Sequence, residues 1–396
     1  MVTELLLEIA RALGRLFLNP VFYLAIIMAI YLGYRRVKRE RKFFHIRILW
    51  GWSETVGLLK EGLLVSLCIS VLSIGFGLTL PTQFLYAVTI ASFIALIIYV
   101  FHLLSPIVLF TVSLAALYLL DFFEVSFQIF GLNVNGVDVN DGTAVTATIL
   151  AGLLLVAEGL LIRKYGAQYA SPIVEHSKRG LKAVAYLSKK IWVLPIFFVV
   201  PGEAIQAYFP WWPQFSLGQT EFSLVLFPII IGFQQMARHT LPVYLYPKLG
   251  RAVLILGEIV IIGGLITYIG ALFSSIPPIV ALGVLVVGLV ARMMISIRFA
   301  IREQKDVYAV SAKSSGVMIA GILPDSPAEK MGLSVGEIIR KVNGVEVHSE
   351  RQLYEALQIN AAHCRLEVLD HQHEVRLTQH VVHNNDHYQI GLLVAE

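Results

Sequence analysis

The chain has 396 residues, of which 57% are apolar and only 15% are charged. Soluble domains carry roughly 25% charged residues, so this composition excludes an ordinary water-soluble protein and predicts that the bilayer is its main solvent. The net charge of +4 is unevenly distributed. Residues 1–305 hold 24 Lys and Arg against 15 Asp and Glu, whereas residues 306–396 hold 7 against 12. No basic stretch is interleaved with stacking aromatic residues in a soluble module, so no nucleic-acid partner is expected.

Nine segments are apolar over a length that approaches a membrane span. A helix needs about 20 residues to cross the hydrocarbon. The segments lie near residues 16–34, 62–80, 83–103, 105–121, 144–162, 191–209, 222–237, 252–273 and 277–297. Residues 1–297 are therefore predicted to form an α-helical polytopic membrane domain of about eight to nine helices.

The basic residues predict the orientation of these spans, because short cytoplasmic loops collect Lys and Arg. If nine spans alternate, the basic loops fall on one side: 35–60, 163–190, 238–251 and 298–305. The loops of the other side contain no Lys or Arg: 122–143, 210–221 and 274–276. The basic linker 298–305 and the tail 306–396 are therefore expected in the cytoplasm.

Two segments outside the spans have helical periodicity. Residues 1–15 place Glu4, Glu8, Arg11 and Arg15 on one stripe opposite apolar residues, which predicts an amphipathic helix in the membrane interface. Loop 163–190 is interpreted either as a solvated basic loop or as a basic surface helix that binds lipid or a partner.

After Lys305 the long apolar runs give way to short strands with turn signals. Ser326-Pro327-Ala328-Glu329 and Ser349-Glu350-Arg351-Gln352 are capping boxes that begin two helices, the first closed by Gly332 and the second running to about Asn360. Asn343-Gly344 predicts a tight turn between strands. The predicted strands are 316–322, 337–342, 345–347, 364–369, 374–380 and 388–395.

Within this tail, the run from Gly316 to Leu357 resembles the bacterial PDZ family, in which S-P-A, a G-L pair and V-N-G recur in this order and spacing. The resemblance implies that residues 306–396 form a small PDZ-like α+β domain, mostly β with two helices, that binds peptides.

The whole arrangement extends the resemblance. A long polytopic region with one C-terminal PDZ-like domain, together with the run R-R-V-K-R-E-R-K after the first span, resembles the MinJ family of membrane adaptors in the Min division-site system of Gram-positive rods. The resemblance implies a scaffold at septa and cell poles that links a DivIVA-type landmark to the MinD ATPase and meets other division proteins. No enzymatic activity and no cofactor are expected.

A PDZ groove holds an extended peptide between an edge strand and a helix. Two stretches are candidates for the strand, 308–311 and 389–393, and the second is preferred because Gly391 allows close backbone approach. The candidate peptide-binding residues are Ile390, Gly391, Leu392 and Leu393 on the strand and Arg351, Tyr354 and Gln358 on the helix.

Two other functions are weighed against the scaffold. Transport is suggested by the ionisable residues within or near spans, Glu158, Glu203, Glu258 and Arg292, although these groups are also interpreted as packing pairs. A role beside a membrane protease is suggested by the PDZ resemblance, but neither H-E-x-x-H nor G-x-S-x-G is present. The histidine-rich tail is interpreted as a hairpin tip at His371 to His373, and no metal site is predicted.

Overall fold

The structure, a computed structural model, describes residues 2–129, 132–138, 142–176, 180, 182–206, 221–273, 275–304, 307–311, 316–360, 363–381 and 390–395. Its α-helices are α1 Val2–Leu18, α2 Pro20–Phe44, α3 Ser53–Lys60, α4 Leu63–Gly75, α5 Thr82–Ile98, α6 Pro106–Phe122, α7 Thr143–Tyr165, α8 Pro242–Leu272, α9 Val280–Glu303, α10 Pro327–Lys330 and α11 Glu350–Gln358. A 3-10 turn spans Phe101–Leu104.

The strands form three sheets. They are β1 Phe127–Ile129, β2 Leu132–Val134, β3 Ser171–His176, β4 Lys182–Gln206, β5 Glu221–Ala237, β6 Val310–Ser311, β7 Val317–Ile322, β8 Ile338–Val342, β9 Val345–Glu346, β10 His363–Leu369, β11 Val375–Val381 and β12 Leu392–Ala395. Strands β1 and β2 form a small hairpin. Strands β3-β4-β5 form the second sheet, to which β6 adds at β4.

Seven of the nine predicted spans are helical. Within the described part of the chain, five helical segments are long and apolar enough to cross a membrane, with α3 and α4 acting as one: 20–44, 53–75, 143–165, 242–272 and 280–303. Helices α5 and α6 are apolar but shorter. The chain is therefore a membrane protein with an α-helical membrane part.

The remaining two predicted spans, 191–209 and 222–237, are wrong as helices. The described parts of both segments are β-strands, paired in the antiparallel hairpin β4–β5. A continuous apolar run cannot be assigned to helix or strand by periodicity. Pro195, Pro201 and Pro228 disfavour a helix interior, and they lie where β4 and β5 pair only with each other among the described strands, at sheet edges that tolerate proline. The predicted outer loop 210–221 lies outside the described residues except for Glu221.

Helix α4 supplies hydrogen bonds to the backbone of the buried strand β4. In an apolar environment every peptide group needs a partner, and an open strand edge is costly. Ser66 Oγ donates to the carbonyl of Pro195, and the amide of Phe197 donates to Ser70 Oγ at 3.0 Å. Beyond α4, the amide of Leu80 donates to the carbonyl of Val199 at 3.0 Å. These polar groups make a β-strand compatible with a helical membrane bundle.

Close contact between α7 and α8 depends on glycine. A Cβ atom added to Gly159 would lie 2.7 Å from the carbonyl oxygen of Gly250, and one added to Gly250 would lie 2.6 Å from the carbonyl oxygen of Gly159. Small residues let membrane helices approach until their backbones touch. This pair therefore fixes the two helices against each other.

The two segments with predicted helical periodicity differ from the expectation in part. Helix α1 is present, but only part of its polar stripe faces protein. Glu8 is 1% exposed, and Arg15 donates to both Glu8 and the carbonyl of Leu224 on β5, whereas Arg11 is exposed. The surface helix considered for loop 163–190 is wrong, because β3 and the start of β4 pair there. The backbone of β3 pairs with the first residues of β4, and this pairing requires an extended chain rather than a helix.

The third sheet confirms the PDZ-like fold of the tail. Its strand order is β11-β10-β8-β7-β12, with β9 paired to β8, and α10 and α11 are the two helices. Ser326 and Ser349 cap these helices as predicted. The reciprocal bonds are shifted by one residue, since Glu329 accepts from the amide of Asp325 at 2.6 Å rather than from the cap itself.

We predict that Ser70→Ala destabilises the protein by about 1–3 kcal/mol, because the amide of Phe197 loses its partner within the bundle. Ser113→Ala is the matched control, since the Ser113 hydroxyl is buried without any hydrogen-bond partner. Chemical unfolding of the full-length protein in detergent measures both changes. Equal losses in the two variants would contradict the role given to α4.

Candidate functional site

The PDZ-like domain packs directly on the membrane part through one face of its sheet. Successive residues of a strand point to opposite faces. Val317 and Ile319 of β7 belong to the domain's own core. Met318 and Ala320, which alternate with them, belong to the apolar cluster of the membrane part. The Tyr186 hydroxyl on β4 donates to the carbonyl of Ala320 at 2.7 Å, so the contact includes a specific hydrogen bond.

The segment that joins the two parts is held by polar contacts. Glu303 Oε2, at the end of α9, accepts the amides of Arg238, His239 and Thr240 at 2.8–3.0 Å. Arg238 forms a two-pronged ion pair with Glu175, which also accepts from the Tyr308 hydroxyl at 2.9 Å. The hydrogen bond from Arg238 lowers the pKa of Glu175 below its ordinary value, so the pair stays charged at neutral pH.

Strand β6 completes the attachment. Val310 and Ser311 pair with Val184 and Ala183 of β4. The stretch 308–311, one of the two candidate peptide-binding strands, is therefore occupied in docking the domain.

The other candidate strand borders a cavity of about 540 Å³ between the two parts of the molecule. This volume lies within the range of about 300–1,000 Å³ that ligand pockets occupy. Strand β12 is an edge strand, bonded in the third sheet to β7 alone among the described strands. The cavity is lined by Lys42, Phe43, Phe44, His45, Ile46, Val174, Lys182, Ala183, Val184, Glu350, Tyr354, Leu392, Leu393 and Val394. We call this cavity the interdomain groove.

The predicted groove residues are only partly brought together. Tyr354 of α11 and Leu392 and Leu393 of β12 line the interdomain groove. Arg351 is not among the lining residues; its side chain is 87% exposed and pairs with Glu355 at 2.8 Å. Gln358 is exposed on α11, and Ile390 is buried in the domain core. Residue 389 lies outside the described residues.

Gly391 lies outside the groove lining and allows β12 to approach α10 closely. Its φ is +80°, and a Cβ atom there would lie 2.2 Å from Cβ of Ser326 at the start of α10. Its carbonyl accepts the amide of Leu323 at 2.8 Å. Gly391 thus fixes the approach of β12 to α10 rather than lining the groove.

The wall contributed by the membrane part was missed by the sequence reasoning. Residues 42–44 end α2, residues 45 and 46 follow it, and Lys182 begins β4, so both basic side chains reach the groove from outside the PDZ-like domain. The signal in the sequence was the basic run after the first span. Because Lys42 and Lys182 oppose the single carboxylate of Glu350, the groove favours a ligand that carries negative charge.

The ionisable residues considered for transport lie in three separate places. Glu158 of α7 accepts from Arg292 Nε on α9 at 3.1 Å and from Ser105 Oγ at 2.6 Å, so it forms a buried packing pair. Glu203 lines an exposed cavity near Asn19 at the far end of β4. Glu258 is exposed on the outer surface of α8. A shared ion path through these groups is not supported by this arrangement.

The histidine-rich turn lies where the sequence predicts. Residues 370–374 join β10 to β11, and the His371 ring packs edge-on against Tyr244 of α8 with centroids 6.3 Å apart. Within the described part of the tail and membrane domain, no cluster of three His, Cys, Asp or Glu side chains could hold a metal ion.

The fold defines a polytopic membrane protein with a docked PDZ-like domain. Residues 318–369 match the PDZ domain family. Over 98% of its length the chain is 30% identical to the cell division topological determinant MinJ of Bacillus subtilis, of which it covers 96%. It is 24% identical to the probable cell division topological determinant MinJ of Lacticaseibacillus paracasei, over 96% of this chain and 97% of that protein. The chain belongs to the MinJ family of cell division topological determinants.

We predict that Gly391→Ala loosens the PDZ-like domain, because the new Cβ combines a left-handed backbone with the clash at Ser326. Cys364 reports the change: it is buried, and burial raises the pKa of its thiol to about 11. In a Cys68→Ser background, a water-soluble maleimide should label Cys364 at least about tenfold faster in the variant, the effect of roughly 1.4 kcal/mol of lost local stability.

The matched control for this experiment is Gly344→Ala. Gly344 also has a positive φ, +88°, but a Cβ atom there meets nothing within 4 Å. Labelling should accelerate much less in this variant. Equal acceleration would mean that the contact with Ser326 has no particular importance for β12.

Proposed function

We propose that this protein is a membrane scaffold in division-site selection, which bridges a polar landmark of the DivIVA type and an ATPase of the MinD type. Its family is named for the determination of division topology, and the names of its relatives describe neither an enzyme nor a transporter. In this proposal the helices anchor the protein and meet the landmark, and the PDZ-like domain recruits the cytosolic regulator.

The interdomain groove is the observation that carries the proposal. An edge strand offers unpaired main-chain groups to an extended peptide, and the facing side chains choose among peptides. Here β12 and Tyr354 form one wall, and Lys42 and Lys182 form the other. A peptide in this groove therefore touches both parts of the protein, and acidic side chains or a terminal carboxylate match its charge.

The proposed orientation follows from the same residues. Lys42 and Lys182 belong to the basic loops, and loops of this kind stay in the cytoplasm. The β4–β5 hairpin enters and leaves the bundle as two helices would, so the alternation of sides along the chain is preserved. The groove then faces the cytosol, where a MinD-type ATPase is available, and the protein is expected at septa and poles.

The experiment replaces the chromosomal copy in a Gram-positive rod and images the tagged scaffold, a DivIVA-type protein and a MinD-type protein. Lys182→Glu should lower septal recruitment of the MinD-type protein several-fold while the scaffold itself stays localised, because Lys182 is an exposed lining residue whose reversal repels an acidic peptide. Deletion of residues 306–396 should have at least the same effect.

Two control variants separate this function from its rivals. Arg351→Glu also reverses a positive charge, but one that lies outside the groove, so it should leave recruitment of the MinD-type protein unchanged. Glu203→Gln should also be tolerated, whereas a transporter that used this carboxylate would lose activity. Normal septum placement and normal MinD-type recruitment in the Lys182→Glu and tail-deletion strains would refute the proposal.

A further inference from the structure

A second cavity, separate from the interdomain groove, lies beside α2. Its volume is about 100 Å³, and the charged part of its lining comes from α2, α3 and β4: Arg35, Arg36, Arg39, Glu54 and Lys189. Four cationic side chains thus face one carboxylate. We call this cavity the cationic pocket.

Glu54, the carboxylate that lines the pocket, is already paired with Arg36. Arg36 bonds both oxygens of Glu54, and it further donates to Glu40 at 2.8 Å and to Ser53 Oγ at 2.9 Å. Arg36 is 3% exposed, so this network is rigid and shields its own charges. One cation and two carboxylates leave this network with a single net negative charge, which is fewer than the three positive charges of Arg35, Arg39 and Lys189.

The other three cations of the pocket have no carboxylate partner of their own among the described residues. Among the described residues, no carboxylate lies within ion-pair distance, 4.0 Å, of Arg35, Arg39 or Lys189. Arg39 Nε is buried with no hydrogen-bond partner. Lys189 Nζ instead stands 4.3 Å from the ring centroid of Tyr99. Arg35 is exposed, and Arg39 and Lys189 are half-buried. Their like charges repel one another, and an anion bound between them would relieve that repulsion and give Arg39 Nε a partner.

The aromatic residues around the pocket indicate its depth. Trp50 and Trp52 are 59% and 51% exposed, and Tyr34 is 64% exposed, beside Arg35 and Arg36. The carbonyl of Trp50 accepts from Arg36 at 2.8 Å, which joins this belt to the pocket. Exposed Trp and Tyr residues of membrane proteins collect at the level of the lipid headgroups. Basic pockets at that level bind the headgroups of anionic lipids.

We propose that the cationic pocket binds the phosphate of an anionic phospholipid, with Arg39 and Lys189 as its direct ligands. The guanidinium group of Arg39 supplies the free Nε donor, and Lys189 contributes a point charge from β4. The phosphate then offsets the repulsion between Arg39 on α2 and Lys189 on β4. This site is independent of the peptide groove and of the proposed scaffold function.

Native mass spectrometry of the full-length protein in detergent tests the site with phosphatidylglycerol, phosphatidylcholine and inorganic phosphate as probes. Phosphatidylglycerol should bind at least about tenfold more tightly than phosphatidylcholine, and Arg39→Gln and Lys189→Gln should each weaken it about tenfold, the effect of one hydrogen bond to a charged group. Lys38→Gln is the matched control, because Lys38 is an exposed cation of the same helix that does not line the pocket.

If the Arg39→Gln variant folds poorly, thermal unfolding of the Lys189→Gln variant in nanodiscs provides a second test. In phosphatidylcholine, Lys189→Gln should be at least as stable as the wild type, because repulsion is relieved. In phosphatidylglycerol, the wild type should gain more stability than the variant. A loss in both lipids would assign Lys189 a structural role and overturn the proposal.

Two further results would also overturn it. Equal binding of phosphatidylglycerol by the Lys38→Gln and Arg39→Gln variants would reduce the effect to general surface charge. Displacement of the lipid by millimolar inorganic phosphate would assign the pocket to a soluble anion.

Discussion

Strand β4 imposes the constraint on which the arrangement depends, because its peptide groups must find partners inside an apolar bundle. Helices satisfy their own backbones, but a strand depends on its neighbours. From Tyr186 onward one edge of β4 is paired by β5, and β6 pairs with that edge at Ala183 and Val184. The other edge is paired by β3 near the start of the strand and farther along receives hydrogen bonds from the serines of α4 and from Leu80. Helix α4, β3 and the segment that attaches the PDZ-like domain each supply some of these partners.

The same strand connects the membrane part to the peptide groove. Its first residues pair with β6, its Tyr186 bonds β7, and Lys182 reaches the groove. Strands β7 and β12 of the PDZ-like sheet are therefore buried on both faces, with Leu392 in the domain's own core and Leu393 in the core of the membrane part. In the proposed scaffold, a peptide that enters between β12 and α2 is sensed by both parts, and a lipid phosphate at Lys189 would act on the same strand.

The sequence predicted the PDZ-like tail almost completely, since its elements are specified locally. Capping serines at 326 and 349 and the turn at Asn343-Gly344 fix boundaries without reference to distant residues. The α-helical spans were also predictable where length and composition agree. The β4–β5 hairpin was missed because a buried strand and a buried helix look alike in an apolar run. The prolines at 195, 201 and 228, which disfavour a helix interior, were the signal available in the sequence.

The groove was only half predictable for a related reason. Tyr354, Leu392 and Leu393 follow from the PDZ pattern, whereas the wall of Lys42 and Lys182 depends on how the domain docks, and docking has no local motif.

The most direct test of the docked arrangement is a disulfide across the β4–β6 pair. In a Cys68→Ser, Cys364→Ala background, Ala183→Cys and Ser311→Cys are register partners and should cross-link in isolated membranes under mild oxidation. Failure to cross-link, or equal cross-linking when Ala183→Cys is combined with Val375→Cys on the opposite edge strand, would contradict the docked arrangement.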